Sequence, residues 1–324
     1  MVTYLAKQLN FLRLAYSFLE SSATGKTVIA GMPVSVSAEL TNHCNLHCPE
    51  CASGSETMKR ERGFMDVGLF SNVAEELRPY LYFVNLYFQG EPLMHPQFFL
   101  FPGMTGTAYS VISTNGHYLN AANSEKLVSS GLKKLIVSLD GMDQETYSEY
   151  RIGGDFHKVI SGIRNFAKAR DSFRSNVKLD VQFLVNRKNE HQMADAERFA
   201  REVGAGLKFK SMQVMNKRDI EKWLPSAGRF SRYVKKNGEF RIKSSLPNRC
   251  MRLWFNPVIT WDGKVLPCCF DKDAQFVMGD LKTESFRSIW NGRHYKDFRQ
   301  QVLTGRESIE ICRNCTSGLK GVRY

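Results

Sequence analysis

The stretch AELTNHCNLHCPECASG, residues 38–54, places Cys44, Cys48 and Cys51 in a short loop after an apolar segment typical of a β-strand. Three thiolates at C-x3-C-x2-C spacing on one loop indicate a metal centre. Structural zinc takes four ligands, usually as two C-x2-C pairs, and a fourth local ligand in such a pattern is missing here. A [4Fe–4S] cluster normally takes four thiolates, so three would leave one iron open to an exogenous ligand.

The composition indicates a globular protein with a basic surface. The chain has 324 residues, of which 43% are apolar, and its 45 Lys and Arg against 32 Asp and Glu give a net charge of +13. This excess favours a partner with phosphate or carboxylate groups, with a solvated basic surface as the alternative. No aromatic–basic repeat of a known nucleic-acid module occurs, so we expect no nucleic-acid partner.

The eight cysteines form two groups, three in the loop above and five in the last quarter of the chain. A disulfide framework is not expected, because the chain is long and no secretory signal opens it. Residues 1–33 begin with an apolar segment interrupted by Lys7 and Arg13, which predicts an amphipathic helix packed on the protein body. No stretch has the roughly 18 apolar residues of a membrane span. We therefore expect a reducing, cytoplasmic compartment.

Strand-length apolar runs alternate with helical patterns through the first two thirds of the chain. Strands are predicted at 33–40, 83–89, 108–114, 133–141, 176–186 and 207–214. Helices are predicted at 67–81, 123–131, 156–170 and 189–204, with a short helix near 96–101. Six βα units in about 180 residues argue for a parallel sheet, and a closed eight-unit barrel typically needs about 250 residues. The predicted fold class is α/β, a partial (β/α)6 TIM-like barrel.

The cysteine loop resembles that of the radical S-adenosylmethionine (radical SAM) superfamily, through CNLHCPEC at 44–51 after the first strand. The resemblance implies a partial (β/α)6 barrel and a [4Fe–4S] cluster held by Cys44, Cys48 and Cys51. In this family the open iron binds SAM, one electron cleaves it, and the resulting 5′-deoxyadenosyl radical abstracts a hydrogen atom from substrate. Glu50 departs from the family pattern, which often has an aromatic residue before the third cysteine, so loop contacts to adenine are expected to differ.

Other strand ends resemble the SAM-binding motifs of the family. Gly90, Glu91 and Pro92 resemble its GGE-type motif, which holds the SAM amino group, with a plain turn as the alternative. The resemblance extends to two residues at the end of the third strand, two at the end of the fourth, and an arginine beyond them: Ser113, Asn115, Ser138, Asp140 and Arg151. The serine, asparagine and aspartate side chains could instead cap the following helices. The arginine is expected to pair with the SAM carboxylate or with substrate, unless it is simply exposed.

The C-terminal cysteines form a second predicted centre. WDGKVLPC, residues 261–268, predicts a hairpin around Asp262-Gly263. Taken alone, the four cysteines Cys250, Cys268, Cys312 and Cys315 could hold zinc or an iron–sulfur cluster. The C-x12-G-x4-C pattern resembles the start of a SPASM domain, and the absence of further cysteines resembles its shortened twitch form. That resemblance implies one auxiliary [4Fe–4S] cluster, saturated by these four cysteines and therefore suited to electron transfer.

Cys269 is left over from this ligand set. It could replace Cys268 as a ligand, be an inert buried thiol, or donate a hydrogen atom to a substrate radical. Its role therefore stays open at this stage, and no other catalytic residue is predicted.

We expect three segments: an N-terminal helical extension (1–33), the radical SAM barrel (34–236), and a SPASM/twitch domain (237–324) that follows a polar joint at 235–248. The expected function is a radical SAM oxidoreductase, dehydrogenase-like, acting on a small polar substrate that can carry phosphate. Peptide maturation and radical epimerisation are the alternatives, and a zinc-binding structural protein is the non-enzymatic one. The expected partners are the substrate or peptide and a reductase such as flavodoxin or ferredoxin.

Overall fold

The computed structural model describes residues 2–315, with side chains from residue 4 onward. The strands are β1 (Ser35–Ala38), β2 (Phe83–Asn85), β3 (Tyr109–Thr114), β4 (Lys134–Ser138), β5 (Lys178–Val185), β6 (Gly206–Ser211), β7 (Tyr233–Lys236), β8 (Glu239–Ile242), β9 (Val258–Ile259), β10 (Lys264–Leu266) and β11 (Gly279–Asp280). The six strands predicted for the barrel are confirmed as β1 to β6.

The α-helices are α1 (Val2–Thr24), α2 (Val67–Leu77), α3 (Phe101–Met104), α4 (Ala121–Ser129), α5 (Gln144–Tyr150), α6 (Phe156–Ser172), α7 (Met193–Glu202), α8 (Ile220–Trp223), α9 (Met251–Phe255), α10 (Phe286–Asn291), α11 (Arg293–Gly305) and α12 (Glu310–Arg313). Short 3-10 helices lie at Pro92–Met94, Phe98–Leu100, Glu190–Gln192, Lys217–Asp219, Gly228–Phe230 and Arg306–Ser308. The described residues contain no helix with both the length and the apolar character needed to cross a bilayer.

The described chain divides into two compact units. Unit 1 contains residues up to 43, 59–110 and from 246 onward, and unit 2 contains 44–58 and 111–245. The cysteine loop after β1 therefore belongs to unit 2, whereas the five later cysteines belong to unit 1.

Unit 2 is built on parallel strands. Strands β3, β4, β5 and β6 pair in sequence order and in parallel, with Val137 opposite both Thr114 and Val181. Asp155 caps the start of helix α6, because its carboxylate accepts a hydrogen bond from the Lys158 N–H. The buried residues of α6 recur at helical spacing. Because the carboxyl ends of parallel strands share one edge, the residues after β3 and β4 lie where active sites of such sheets form.

The sheet of unit 1 combines an early and a late part of the chain. Strands β1 and β2 are parallel, and β9 pairs in parallel with β1 through Ser37 and Val258. Strands β9 and β10 form the predicted antiparallel hairpin, and Gly263 in its turn has φ +90°. A φ of +90° is a left-handed backbone conformation, which glycine adopts without steric cost because it has no Cβ. The hairpin predicted at 261–268 is confirmed.

Helix α1 packs on unit 1 with one face only. Phe18 packs edge-on against Trp254 at 5.8 Å between ring centres, and the Asn10 amide exchanges two hydrogen bonds with the Met32 backbone. The opposite face is apolar and 47–65% exposed at Leu5, Leu9, Leu12, Tyr16 and Leu19. The predicted N-terminal helix is therefore present, and it packs on the protein through its more polar face.

The first half of the polar joint predicted at 235–248 belongs to a hairpin. Strands β7 and β8 form an antiparallel hairpin, and Asn237 and Gly238 in its turn have φ +51° and +81°. Asn-Gly is a strong signal for this turn type, because both positions need left-handed backbone. The boundary predicted between residues 236 and 237 falls inside this turn.

Candidate functional site

The cysteine loop is tightly coiled. The Cys51 N–H donates to the Cys48 carbonyl at 3.2 Å, and the Gly54 and Ser55 N–H groups donate to the Cys51 carbonyl. A Cβ on Gly54 would lie 2.6 Å from the Cys48 nitrogen, so glycine is required for this backbone path. Cys48 is buried, and Cys44 and Cys51 pack against the same apolar cluster. The loop therefore keeps all three thiols on one compact segment.

Arg151 and Asp140 form a buried ion pair beside Cys48. Arg151 donates to one Asp140 carboxylate oxygen through Nε at 2.7 Å and Nη2 at 2.6 Å, and its Nη1 lies 3.7 Å from the Cys48 sulfur. The other oxygen accepts from the Leu184 N–H. Burial raises the pKa of the Cys48 thiol, and the guanidinium opposes that rise. The two residues thus contact each other and one predicted cluster ligand.

Asn115 connects the end of β3 to the cysteine loop. Its Nδ2 donates to the Asn45 side chain at 2.8 Å and lies 4.0 Å from the Cys44 sulfur. Its oxygen accepts from the backbone N–H of His117 and lies 3.0 Å from His117 Nδ1. Because His117 Nε2 accepts from the Asp155 N–H, Nδ1 carries the ring proton and donates to Asn115. His117 is therefore a positioning residue that the sequence analysis did not identify.

Ser113 and Ser138 lie at the carboxyl ends of neighbouring strands. Ser113 is the penultimate residue of β3 and pairs with Ile136, and Ser138 is the last residue of β4 and pairs with Gln182. Ser113 is partly buried and Ser138 is buried. Their positions fit the predicted edge, and their part in SAM binding stays a prediction.

Glu50 anchors the cysteine loop in unit 2. Its carboxylate accepts from the Met215 N–H at 2.6 Å, beyond the end of β6. Burial raises the pKa of Glu50, and hydrogen bonds from Met215 and Trp223 oppose that rise. Where many family members have an aromatic residue, this chain has a carboxylate that ties the loop to the following strand end.

The Gly90-Glu91-Pro92 segment lies in unit 1, after β2. Gly90 has φ +75°, and a Cβ there would lie 2.5 Å from the Thr41 carbonyl oxygen. The Glu91 N–H donates to the His43 carbonyl at 2.7 Å, and its buried carboxylate accepts from the Leu93 N–H. Pro92 opens the 3-10 helix that this carboxylate caps. Glycine thus permits a close backbone approach, and Glu91 is held at a fixed position.

The predicted auxiliary ligands come together within unit 1. Burial raises the pKa of Cys268 well above its usual value, and Cys269, Cys250 and Cys315 add to the rise. Burial likewise raises the pKa of Cys312 to about 11, with contributions from Cys315 and Cys250. Hydrogen bonds also connect these segments, because Arg306 contacts the Arg249 carbonyl at 3.0 Å and the Cys315 sulfur at 3.4 Å, and Arg252 contacts the Cys269 sulfur at 2.8 Å. The residues come from three separate segments, since Cys312 and Cys315 share one, and their role as cluster ligands stays a prediction.

A second buried ion pair was not identified from the sequence. The Glu39 carboxylate, directly after β1, accepts from Arg60 Nη1 at 2.7 Å and Nη2 at 2.6 Å. Arg60 Nε also donates to the Lys272 carbonyl, and the Trp261 N–H lies 3.3 Å from the same carboxylate. The pair therefore joins the end of β1 to the C-terminal hairpin inside unit 1.

The donor chemistry fits iron–sulfur clusters at both cysteine groups. Neither group forms a disulfide. In residues 2–315, no three His, Cys, Asp or Glu side chains converge closely enough to hold a single metal ion. A cluster spans its thiolates over a longer distance than one ion does, because irons and sulfides lie between them. Compact groups of thiols, each with an arginine within 4 Å of a sulfur, suit such an anionic cluster.

Two family models match the chain. Residues 38–200 match the radical SAM superfamily, and residues 250–316 match an iron–sulfur cluster-binding domain, SPASM. Together they contain every cysteine of the chain.

Curated relatives match over most of their length. The S-adenosyl-L-methionine-dependent 2-deoxy-scyllo-inosamine dehydrogenase of Niallia circulans is 25% identical, covering 87% of this chain and 92% of its own. The AdoMet-dependent heme synthase of Methanosarcina barkeri is 23% identical, covering 87% and 91%. The PqqA peptide cyclase of Gluconobacter oxydans is 27% identical, covering 80% and 76%.

Solved structures share the fold. BtrN in complex with AdoMet and 2-DOIA aligns with a TM-score of 0.56 at 20% identity, covering 91% of this chain and 98% of that one. Streptococcus suis SuiB bound to the precursor peptide SuiA aligns with a TM-score of 0.63 at 12% identity, covering 89% and 72%. The fold class is thus the α/β partial barrel with a C-terminal cysteine-rich subdomain. The chain belongs to the radical SAM superfamily and carries a C-terminal SPASM domain, so its cofactors are SAM, a SAM-binding [4Fe–4S] cluster and an auxiliary iron–sulfur cluster.

Proposed function

We propose that this chain is a radical SAM oxidoreductase that oxidises a small polar substrate, with one auxiliary [4Fe–4S] cluster as the electron acceptor. The observation that carries the proposal is that two arginines link the segments that bear the C-terminal cysteines. Arg306 joins the Arg249 carbonyl to the Cys315 sulfur, and Arg252 joins the helix after Cys250 to the Cys269 sulfur. Four thiolates saturate one cluster and leave no iron open to substrate, so electron transfer is the role that suits it. The dehydrogenase relative supports the same reaction class, because it matches over 92% of its own length.

The residues around the first cysteine loop have distinct roles in this proposal. Cys44, Cys48 and Cys51 hold the cluster that binds SAM. When bound, SAM and this cluster supply a 5′-deoxyadenosyl radical that removes a hydrogen atom from the substrate. Asn115 fixes the loop beside Cys44, and the Arg151–Asp140 pair fixes it beside Cys48.

The other predicted contacts serve SAM directly. Gly90, Glu91 and Pro92 form the segment that we assign to the SAM amino group, since a backbone carbonyl or carboxylate accepts from an ammonium. Ser113 and Ser138, at the carboxyl ends of β3 and β4, are assigned to its polar groups. Arg151 remains the cation assigned to a carboxylate, through donors not used on Asp140.

The domain limits follow from the predicted ones with one change. We place an N-terminal extension at 1–33 and the barrel from residue 34. The β7–β8 hairpin is a single unit of structure, so the barrel ends after residue 242 rather than at 236. The family match to an iron–sulfur cluster-binding domain at 250–316 supports this choice.

We place the protein in the reducing cytoplasm, with a one-electron donor such as flavodoxin or ferredoxin as partner. The eight cysteines, all within the described residues, are free thiols. Free thiols persist in reducing compartments and are needed as cluster ligands. The charge of +13 suits an acidic electron carrier and a substrate with phosphate or carboxylate groups.

Peptide modification is the second candidate function. The PqqA peptide cyclase matches 80% of this chain, and the fold of SuiB bound to its precursor peptide aligns over 89%. In that case the substrate is a peptide, and the same cofactors act on one of its side chains. Radical epimerisation is the third candidate, for which Cys269 is the available hydrogen donor.

The test begins with anaerobically reconstituted protein. We expect a brown protein with about eight irons per chain, four for each cluster. The Cys44→Ala/Cys48→Ala/Cys51→Ala variant should keep about half of the iron and lose SAM cleavage. The Cys312→Ala/Cys315→Ala variant should also keep about half and still cleave SAM, but form no oxidised product. A colourless protein that holds zinc instead would contradict the proposal.

Substrate class is decided by product analysis. A panel of polar alcohols, aminocyclitols and phosphorylated sugars, set against peptide libraries, is screened for stimulated formation of 5′-deoxyadenosine. Oxidation predicts one 5′-deoxyadenosine per product and a product two hydrogens lighter than the substrate. A product of unchanged mass that disappears in Cys269→Ala would establish epimerisation instead.

A further inference from the structure

Two arginines contact the thiols of the auxiliary centre. Arg252 Nη1 lies 2.8 Å from the Cys269 sulfur, and Arg306 Nη2 lies 3.4 Å from the Cys315 sulfur. Arg252 is the second residue of α9, which directly follows Cys250, and Arg306 is the first residue of the 3-10 helix that follows α11. Arg306 therefore contacts the predicted ligand Cys315, and Arg252 contacts Cys269, the residue next to the predicted ligand Cys268.

Arg306 is fixed in place by its surroundings. It is 1% exposed, and its Nη1 donates to the Pro247 and Arg249 carbonyls at 3.3 and 3.0 Å. Its backbone N–H donates to the Asn248 side chain. These partners join the segment before Cys250 to the segment before Cys312. They orient the guanidinium, and as neutral groups they do not cancel its charge.

Arg252 lies within electrostatic reach of most of the centre. Its Nη1 contacts the Cys269 sulfur, next to Cys268 in the chain, and Arg252 itself lies two residues after Cys250. No ion pair joins Arg252 to an Asp or Glu among the described side chains. Arg60 and Arg151, by contrast, are paired with Glu39 and Asp140, whereas the fully buried Arg299 lies over the rings of Trp290 and Tyr295.

We propose that Arg252 and Arg306 are positioning residues that raise the reduction potential of the auxiliary centre, so that it accepts the electron released by the substrate. The potential of an iron–sulfur centre depends on net charge, hydrogen bonds to sulfur and exposure. A fixed positive charge near the thiolates stabilises the reduced, more negative state, and burial strengthens the effect. Both arginines supply positive charge and an N–H donor directed at sulfur.

The inference rests on the proposed function, and it identifies the auxiliary centre as the acceptor of the electron that the substrate radical loses. After hydrogen abstraction, the substrate radical loses one proton and one electron and becomes the oxidised product. The electron reduces the auxiliary centre by one oxidation level, and the proton passes to solvent or to a base. A centre with a raised potential favours this direction of transfer and thereby dehydrogenation over a redox-neutral outcome.

The test measures the auxiliary centre alone. The Cys44→Ala/Cys48→Ala/Cys51→Ala background removes the other cluster, and the midpoint potential is then followed by electron paramagnetic resonance during redox titration. We expect Arg252→Gln and Arg306→Gln to shift the midpoint to more negative values, and the double variant to shift it further. Arg252→Lys and Arg306→Lys should recover part of the shift, because they keep the charge and lose the planar donor.

Arg293→Gln is the matched control. It removes one positive charge from the same unit, but its side chain is 91% exposed and pairs with Asp297, so the midpoint should not move. Iron content separates the two possible failures. If the background protein takes up no iron, the proposed auxiliary cluster is wrong. If it takes up iron and the midpoint of both Gln variants equals that of the control, the role of the arginines is wrong.

If one Gln variant takes up no iron, its Lys counterpart keeps the inference testable. A Lys variant that loads iron with an unshifted midpoint would contradict the role of the N–H donor.

Discussion

The two cysteine groups are built in opposite ways. In the first, Cys44, Cys48 and Cys51 lie within eight residues of one coiled loop, and Arg151 beside them is neutralised by Asp140. In the second, the proposed ligands come from three segments between residues 250 and 315, and Arg252 contacts the neighbouring Cys269 sulfur without a paired carboxylate. Local spacing thus defines the first group, whereas tertiary packing assembles the second.

The difference in charge follows the proposed division of labour. A site whose arginine is already neutralised adds little positive charge, which suits a cluster that must donate an electron to SAM. A site with guanidinium groups directed at thiols suits a cluster that must receive one. The following predictions test this comparison, beginning with the largest effect.

Gly54→Ala should disable the first group and spare the second. The new Cβ would meet the Cys48 nitrogen at 2.6 Å and its oxygen at 2.9 Å, and neither backbone atom can move without opening the loop. We expect loss of about half of the iron, four of eight per chain, and SAM cleavage at background level. Gly228→Ala is the control, because nothing lies within 4 Å of its Cβ position and its φ is not positive. Full iron content in Gly54→Ala would show that the loop tolerates a side chain.

Asp140→Asn should destabilise unit 2 by removing the partner of a buried arginine. The Asp140 side chain is fully buried and that of Arg151 is 15% exposed. Breaking such a pair typically costs about 3 kcal/mol, because the remaining charge is left without compensation. Urea unfolding of the cluster-free protein measures the loss.

Asp171→Asn is the matched control for this change. Its carboxylate pairs with Arg170 but is 71% exposed, so we expect an effect below about 0.5 kcal/mol. Equal effects of the two variants would mean that the Arg151–Asp140 pair contributes no more than a surface pair.

His117 should make the stability of unit 2 depend on pH. Burial lowers the pKa of His117, so the folded protein holds it neutral while the unfolded chain protonates it near its ordinary pKa of about 6.5. The unfolded state then binds more protons, and stability falls as the pH drops below that value. His117→Gln should lose less stability than the wild type between about pH 7.5 and 5.5. Because burial also lowers the pKa of His95, the difference between the two proteins is the relevant quantity.

Gly263→Ala should have the smallest effect, at the hairpin that precedes Cys268. Its φ of +90° disfavours a side chain, and the nearest neighbour of a Cβ is a Leu69 methyl group at 3.2 Å, which can move. We expect a loss of about 1–2 kcal/mol with unchanged iron content. A loss of auxiliary iron would show that the second group is as locally strained as the first.

The sequence predicted the parts of the fold that depend on local pattern. The six strands, the 261–268 hairpin and the position of the cysteine loop follow from alternation, turn residues and spacing. The β7–β8 hairpin was also readable, because Asn237-Gly238 is a strong turn signal. It was missed because its strands are polar and mostly exposed, with only Tyr233 buried.

The remaining features depend on distant pairing. Nothing in the local sequence of Glu39 or Arg60 indicates that they meet, and the same holds for Arg252 with Cys269. The role of His117 was not readable either, because its ring joins the Asn115 side chain to a backbone N–H, that of Asp155, 38 residues away. The resemblance to SPASM domains implied the ligand set of the C-terminal cysteines, whereas the arginines beside these cysteines were identified only from the structure.

The pairing of β1 with β9 has a consequence for biosynthesis. One edge of β1 pairs with β2, but the other edge can pair only with β9, whose Val258 is synthesised about 220 residues later. Until then a nascent chain leaves the ribosome with an unprotected strand edge next to the metal-binding loop. Translation halted before the β9–β10 hairpin would therefore release an aggregation-prone intermediate. Dependence on chaperones should be strongest at that stage of synthesis.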